Sequence, residues 1–136
     1  MVNIHGECII ADLGLAIRYD PILRTIDTPD YDPQNIRVGT KRYMAPEILS
    51  NTLDTIEFSS YCRADIYSLG LVFWEILNRT KLSETHTPGP YQQPYQEFTQ
   101  PDPSIAEMAD VVVTRCIRPQ FSRYMGKQLK VLTIKT

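Results

Sequence analysis

The stretch that decides the fold lies in the middle of the chain and reads Asp65-Ile66-Tyr67-Ser68-Leu69-Gly70-Leu71-Val72-Phe73-Trp74-Glu75-Ile76. Only its two acidic residues carry charge, and apolar side chains cover every face of a 3.6-residue repeat. A helix that is apolar all round has to be surrounded by protein. The pattern predicts a buried central helix over residues 65–77. Asp65 is predicted to stand at its beginning, where a carboxylate accepts backbone N–H groups and complements the helix dipole.

Two short motifs precede this helix. The first, Asp12-Leu13-Gly14, directly follows the apolar run Cys8-Ile9-Ile10-Ala11, which predicts a β-hairpin with residues 1–2 as the stub of its partner strand. A carboxylate after an apolar strand is well placed to hold Mg²⁺ against nucleotide phosphates, although a simple turn at a strand end is the ordinary explanation of such a tripeptide. The second, Ala45-Pro46-Glu47, follows Gly39-Thr40-Lys41-Arg42-Tyr43-Met44. Together with the helix behind them, the order and spacing of the two motifs are typical of a protein-kinase activation segment.

The rest of the chain alternates between loop and helix. Residues 18–37 are predicted to be mostly loop because prolines and turn-forming aspartates interrupt every periodic pattern. Five prolines exclude a continuous helix from residues 88–103. A helix is then predicted to about residue 115, capped either by Ser104 with Glu107 or by Asp102 before Pro103. Residues 124–136 show no convincing period and are predicted to be a poorly ordered tail.

Composition excludes several classes of function. The net charge of −2 and the scattered basic residues argue against nucleic-acid binding. No apolar run is long enough to span a membrane. Three cysteines, far apart in the sequence, fit a reduced compartment, and His5 and His86 have no partners at the spacing of metal ligands.

Three runs of sequence resemble the receptor serine/threonine kinases, namely residues 9–16, 38–47 and 63–67. Within that family, Lys41-Arg42 and the ending Phe73-Trp74-Glu75-Ile76 look like the type I receptors of the TGF-β/activin class. The similarity continues through the proline-rich segment to Arg118-Pro119, so it covers roughly residues 2–119. The combination of motifs is highly specific.

The resemblance implies a mainly α-helical fold, the C-terminal lobe of a kinase with a short β-hairpin remnant and without the N-terminal lobe. Residues 1–123 would form this partial kinase domain and residues 124–136 a divergent tail. By analogy Asp12 is the Mg²⁺ ligand, Gly39 to Glu47 shape the site for the acceptor peptide, Thr40 touches the catalytic base, and Asp65 braces the catalytic loop. Thr25 and Thr28 stand where activation-segment hydroxyls occur, although loop threonines are usually inert.

The resemblance also implies what the parent kinase does. It would use ATP and Mg²⁺ to phosphorylate serine or threonine, with SMAD-type proteins as substrates and a type II receptor as partner, on the cytoplasmic side of a single-pass membrane receptor. The 136 residues contain no H-R-D-x-x-x-x-N loop, no Gly-rich loop and no strand lysine. We therefore expect this chain to be an incomplete copy that binds neither ATP nor Mg²⁺ and is catalytically inactive.

Three further expectations follow from the same resemblance. The chain could instead be a non-catalytic interaction module or decoy that keeps the substrate-facing surface, or a product that misfolds. Glu47 is expected to lack its partner, because the family's pairing arginine lies beyond residue 136 and Arg118 matches another position. The central helix is expected to expose apolar area, which favours instability or association.

Overall fold

The structure is a computed structural model, and it describes residues 1–27, 37, 39–81, 84 and 87–121. The regular elements of that part are strands β1 Arg18–Asp20 and β2 Thr25–Asp27, helices α1 Pro46–Leu49, α2 Phe58–Arg79 and α3 Ile105–Ala109, 3₁₀ turns Leu13–Leu15 and Lys41–Tyr43, and a π-helical turn Asp110–Thr114. The fold is mostly helical with one two-stranded antiparallel sheet, as predicted. None of the helices in these residues is both long enough and apolar enough to cross a membrane.

The central helix is present, but it begins at Phe58 and not at Asp65. The prediction that Asp65 caps this helix is wrong, because Asp65 lies two turns inside α2 and is exposed. The turn before the helix is instead organised by Asp54, whose Oδ1 accepts hydrogen bonds from the backbone N–H groups of Ile56 at 2.9 Å and Glu57 at 3.3 Å. The sequence did not predict the first two turns of α2, because small and polar residues face the core there.

Only one side of α2 is buried. Ser60, Ala64, Leu71 and Trp74 form a stripe at helical spacing that faces the rest of the protein. The opposite side exposes apolar residues, with 67% of Ile66 accessible to solvent. The other members of this exposed surface are Leu69, Val72, Phe73 and Ile76. Burial of α2 on every face is therefore not what the structure shows, and the expected exposure of apolar area is confirmed.

We expect this exposed α2 surface to drive self-association and dye binding, because contiguous apolar patches of this kind are unfavourable in water. Replacing Ile66, Phe73 and Ile76 together with glutamine should reduce the fluorescence of bound anilinonaphthalene sulfonate and shift sedimentation toward the monomer. The control is Ile22→Gln, since Ile22 is even more exposed but lies in the turn between β1 and β2, outside this surface. Unchanged association of the triple variant would contradict the expectation.

The hydrophobic core lies between α2 and the two C-terminal helical turns. Its buried members are Met44, Leu49, Leu71, Tyr95, Met108, Val111 and Val112. A smaller cluster of Ala45, Leu53 and Ala64 packs under the start of α1. Both clusters join residues of the segment 44–53 to one buried residue of α2, Leu71 in the larger cluster and Ala64 in the smaller.

The N-terminal segment contains two short hairpins, one predicted and one not. The predicted hairpin is confirmed as a single antiparallel bridge between Val2 and Cys8. The second hairpin pairs β1 with β2 inside the stretch that was predicted to be mostly loop. Its turn is held by Asp20, whose Oδ1 accepts hydrogen bonds from the backbone N–H groups of Ile22 at 2.8 Å and Leu23 at 3.0 Å. Strands of three residues are too short to show the alternation from which strands are predicted.

One aromatic contact connects this hairpin to the helical part. The ring of Tyr19 in β1 stacks on that of Phe58, the first residue of α2, with centroids 4.7 Å apart. The prediction of loop for residues 28–36, including Thr28, lies outside the described residues. The same holds for the predicted tail at 124–136, and the division of the chain at residue 123 stays a prediction.

The third helix begins as predicted. The Oγ of Ser104 accepts a hydrogen bond from the backbone N–H of Glu107 at 3.1 Å, so Ser104 and not Asp102 caps α3. The Glu107 carboxylate binds the backbone N–H of Gln100 at 2.7 Å and thereby fixes the preceding loop. The helix widens into a π-helical turn at Asp110 and ends at Thr114, close to the predicted end. Residues 87–103 form no helix or strand, as expected.

Candidate functional site

Arg42 anchors the segment 39–47. Only 4% of this residue is exposed, and its guanidinium donates four hydrogen bonds. Nη1 binds the carbonyl oxygen of Pro94 at 3.0 Å and the hydroxyl of Thr99 at 2.8 Å. Nη2 binds the carbonyl oxygens of Gln100 at 2.8 Å and Pro101 at 2.9 Å. Among the described residues the acceptors of this buried charge are all neutral, and they fix the 3₁₀ turn Lys41–Tyr43 to the loop 94–101.

Lys41 reinforces the same junction more weakly. Its Nζ lies 3.2 Å from Oδ1 of Asp102, and both side chains remain accessible to solvent. Exposed ion pairs of this kind contribute at most about 1 kcal/mol to stability. Of the two adjacent cations, Arg42 faces the protein interior while Lys41 remains on the surface.

Thr40 and Asp65 line one open cleft, although 24 residues separate them in the sequence. The cleft measures about 400 Å³ and lies between the segment 39–48 and the exposed side of α2. Gly39 also lines it, with a φ of 105° that side-chain-bearing residues rarely adopt. The sequence predicted both Thr40 and Asp65 as site residues, and the structure places them around a common space.

Two side chains of α2 hold the segment 39–47 in place through hydrogen bonds, and neither was singled out from the sequence. The hydroxyl of Ser68 donates to the backbone carbonyl of Tyr43 at 2.8 Å. The hydroxyl of Tyr43 in turn donates to the carboxylate of Glu75. Burial, together with this hydrogen bond to Glu75, raises the pKa of Tyr43 above its usual range. Such contacts join residues 25 and 32 positions apart, so no local pattern in the sequence could have indicated them.

The motif Ala45-Pro46-Glu47 forms the start of α1. Pro46 occupies the first helical position, where its missing N–H would have no partner in any case. The backbone oxygen of Glu47 accepts hydrogen bonds from the N–H groups of Thr52 at 2.8 Å and Leu53 at 3.1 Å. Its side chain is half-buried, and none of the ion pairs within the described residues includes it.

Two tyrosines contact each other in the core. Tyr67 and Tyr95 are joined through their hydroxyls, and the guanidinium carbon of Arg118 lies 5.6 Å from the centre of the Tyr67 ring. Burial raises the pKa of both tyrosines, and for Tyr95 the contact with Tyr67 raises it further. The folded state therefore holds these phenolic protons more tightly than the unfolded chain.

This linkage predicts a loss of stability at alkaline pH. The contribution of raised tyrosine pKa values is fully present below about pH 10, the usual pKa of tyrosine, and is lost as the pH rises above it. Denaturant unfolding at pH 8 and pH 11 should show this fall. In Tyr95→Phe the fall should be smaller, because one of the perturbed phenols is gone. An equal fall in both proteins would contradict the assignment.

Asp12 lies apart from the cleft, on the exposed turn before Leu13–Leu15. Its backbone is left-handed, with φ 63° and ψ 63°, a conformation that is uncommon for residues other than glycine and often occurs at functional sites. No group of three possible metal ligands exists within the described residues. One exposed carboxylate therefore fits Mg²⁺ only where nucleotide phosphates supply other ligands, which is the usual way this ion is held.

The remaining threonine candidate in the described part is Thr25. It is exposed at the start of β2, opposite Asp20 in the hairpin. Nothing in its surroundings distinguishes it from an ordinary surface threonine.

Comparison with known proteins gives one family and several relatives. A family model described as the protein kinase domain matches residues 1–127. TGF-beta receptor type-1 of Homo sapiens is 48% identical over 119 residues, which are 88% of this chain and 22% of that receptor. Activin receptor type-1B of Homo sapiens is 45% identical over 139 aligned positions, covering 96% of this chain and 26% of the receptor. Activin receptor type-1C of Rattus norvegicus is 51% identical over 119 residues, 88% of this chain and 23% of the receptor. The chain spans about a quarter of the length of these relatives.

Proposed function

Because this chain belongs to the protein kinase domain family, we propose that it is the activation-segment region of a receptor serine/threonine kinase, similar to the TGF-β/activin type I receptors. The parent enzyme transfers the γ-phosphate of ATP to serine or threonine hydroxyls of protein substrates. The observation that carries the proposal is the cleft shared by Thr40 and Asp65 beside the anchored segment 39–47.

In this proposal the cleft receives a kinase catalytic loop. Thr40 contacts the catalytic base at the upper rim of the cleft, and Asp65 supports the backbone of that loop from α2. The surface of residues Gly39 to Glu47 faces the acceptor peptide. Burial of Arg42 supports this division of roles, because it holds the segment rigidly while Lys41 stays accessible. Rigid positioning is the main contribution a protein makes to phosphoryl transfer.

Asp12 has the role of a metal ligand in the same proposal. Bound Mg²⁺ supplies charge neutralisation between the phosphates of ATP. The exposed carboxylate of Asp12 would hold this ion. The left-handed backbone of Asp12 lies directly before the turn Leu13–Leu15. Two observations support the role: the conformation of Asp12 and the match of the family over residues 1–127.

A polypeptide limited to these 136 residues lacks the catalytic base, the ATP lysine and the Gly-rich loop. We expect it to show no transfer of ³²P from Mg-ATP to casein or to a SMAD-type protein. The decisive comparison is a chimera in which residues 1–121 replace the matching segment of human TGF-beta receptor type-1. An active chimera would support the kinase origin of the segment, whereas a folded but inactive chimera, or turnover by the isolated chain, would contradict the proposal.

The partners follow from the same proposal. The parent would lie on the cytoplasmic side of a membrane receptor, act together with a type II receptor, and phosphorylate SMAD-type proteins. Coprecipitation of the active chimera with a type II receptor kinase domain tests this part separately from the chemistry.

A second function is favoured by the way the segment 39–47 is held. Its anchors at Arg42, Ser68 and Glu75 all lie within this chain, so the substrate-facing surface does not depend on a bound nucleotide. The isolated chain could therefore act as a non-catalytic decoy for substrate. It should then inhibit SMAD phosphorylation by an intact type I receptor kinase, and Arg42→Met should abolish the inhibition. Equal inhibition by both proteins would contradict the decoy function.

A further inference from the structure

A second cleft shares no lining residue with the cleft around Thr40 and Asp65. It measures about 410 Å³ and is enclosed by the loop 92–98, the segment 115–120 and Trp74 of α2. Pockets that bind ligands are usually about 300–1,000 Å³ in volume. The cleft therefore has the size of a binding site but no role in the proposed phosphotransfer.

Two arginines line the cleft, and each is oriented by an aromatic ring. The guanidinium carbon of Arg115 lies 5.6 Å from the ring centre of Phe98, and Arg118 lies at the same distance from Tyr67. Among the described residues, the ion pair of Arg115 is a long contact of 3.8 Å to Asp110. Arg118 donates from Nη1 to the carbonyl oxygens of Val112 and Ile117, and these are its hydrogen bonds within the described part of the chain. Since a guanidinium has five N–H donors, both side chains keep donors for a carboxylate.

The other surfaces of the cleft suit an extended peptide. Phe98 is partly exposed, and the indole N–H of Trp74 is already bound to the carbonyl of Gln120 at 3.2 Å. The Phe98 ring therefore offers the apolar contact, while Trp74, only 8% exposed, lines the cleft with no polar group left to satisfy. Gln92 and Gln93 line the cleft from the same loop as Phe98, and their side-chain amides can both donate to and accept from a peptide backbone.

Unusual backbone conformations occur on both walls. Tyr95 has φ 64° and Cys116 has φ 51°, although neither residue is glycine. The π-helical turn Asp110–Thr114 directly precedes the wall that contains Cys116. Strained φ values and π-helical turns are both concentrated at ligand-binding places in proteins. Their coincidence here favours a shaped site over an incidental surface depression.

We propose that this cleft binds an acidic peptide segment, whose carboxylates pair with Arg115 and Arg118 and whose aromatic side chain packs against Phe98. Glu97 also lines the cleft and repels additional negative charge. The site therefore fits one or two carboxylates beside an apolar side chain, and it disfavours a polyanion such as nucleic acid.

Trp74 is the single tryptophan of the chain, so intrinsic fluorescence reports directly on occupancy of the cleft. Titration of the 136-residue protein with acetyl-Glu-Phe-Glu-amide should give a saturable change. The isosteric peptide acetyl-Gln-Phe-Gln-amide should bind at least about tenfold more weakly, because the charge-assisted bonds are lost. Arg115→Gln should weaken binding of the acidic peptide by a similar factor, and Arg115→Lys by less.

Matched controls separate binding from folding. Lys81→Gln removes a cation outside the cleft and should leave the affinity unchanged. Arg118 also bonds to the backbone, so Arg115→Gln, with its circular dichroism compared with that of the original protein, is the deciding variant. As a second readout, the acidic peptide should slow alkylation of Cys116 but not that of Cys62, which is exposed on α2.

Three outcomes would overturn the proposal. The first is equal affinity for the acidic and the glutamine peptide. The second is complete displacement of the acidic peptide by inorganic phosphate at equal concentration, which would indicate a simple anion site. The third is an unchanged affinity in a correctly folded Arg115→Gln protein.

Discussion

Arg42→Met should lower the free energy of unfolding by roughly 3 kcal/mol, since hydrogen bonds to a charged donor contribute about 1.5–3 kcal/mol each and the exchange recovers only part of this through apolar burial. The four acceptors on Pro94, Thr99, Gln100 and Pro101 would lose their donors at once. A loss of this size corresponds to a midpoint of thermal unfolding lower by about 10 °C. Chemical denaturation monitored by circular dichroism measures it.

Two companion variants test the cause. Arg42→Lys keeps the charge but replaces a planar fork with a single ammonium group, so it should recover only a minor part of the lost stability. Lys41→Met removes the adjacent cation from its exposed pair with Asp102 and should change stability by less than about 1 kcal/mol. If Lys41→Met proved as damaging as Arg42→Met, net charge and not the buried hydrogen bonds would be the cause.

The second large effect concerns catalysis in the chimera with TGF-beta receptor type-1. Asp12→Asn should lower kcat/KM by about 100- to 1,000-fold, the usual consequence of removing one electrostatic contact to the reacting groups. The loss should appear mainly in kcat, because the metal ligand acts on charge that develops during transfer. Asparagine retains the size of the side chain, so the backbone turn at Leu13–Leu15 should persist.

The matched control for that change is Asp27→Asn. Asp27 ends β2 and, like Asp12, is exposed, but it has no metal role in the proposal. Its substitution should leave kcat/KM within about twofold of the unmodified chimera. A rise of Asp12→Asn activity with added Mn²⁺ would further support a metal role. An Asp12→Asn chimera with unchanged kcat would contradict it.

Local patterns in the sequence predicted the features that local interactions determine. The cap at Ser104 depends on residues within one helical turn, and it was one of the two predicted caps of α3. The beginning of α2 was missed because Ser60 and Ala64 pack against the core without producing an apolar period. The hairpin of β1 and β2 was missed because its strands are only three residues long.

In the candidate site, too, some features could be predicted from the sequence and others could not. The resemblance to the receptor serine/threonine kinases was sufficient to select Thr40 and Asp65, and the structure places both at one cleft. The resemblance could not indicate that Arg42 points inward while Lys41 points outward, since either cation would satisfy the motif. That difference is set by acceptors 52 to 59 residues further along the chain.

These sequence separations also bear on the order of folding. Contacts that close loops of 52 to 59 residues carry a large entropic cost and tend to form after local structure is in place. The turn around Arg42 therefore acquires its final shape only when α2 and the loop 94–101 have already come together. The surface of residues 39–47, which we propose faces the acceptor peptide, is then among the last parts of the chain to form and among the first to be lost on partial unfolding. A folding intermediate could keep most of its helix and still present no such surface.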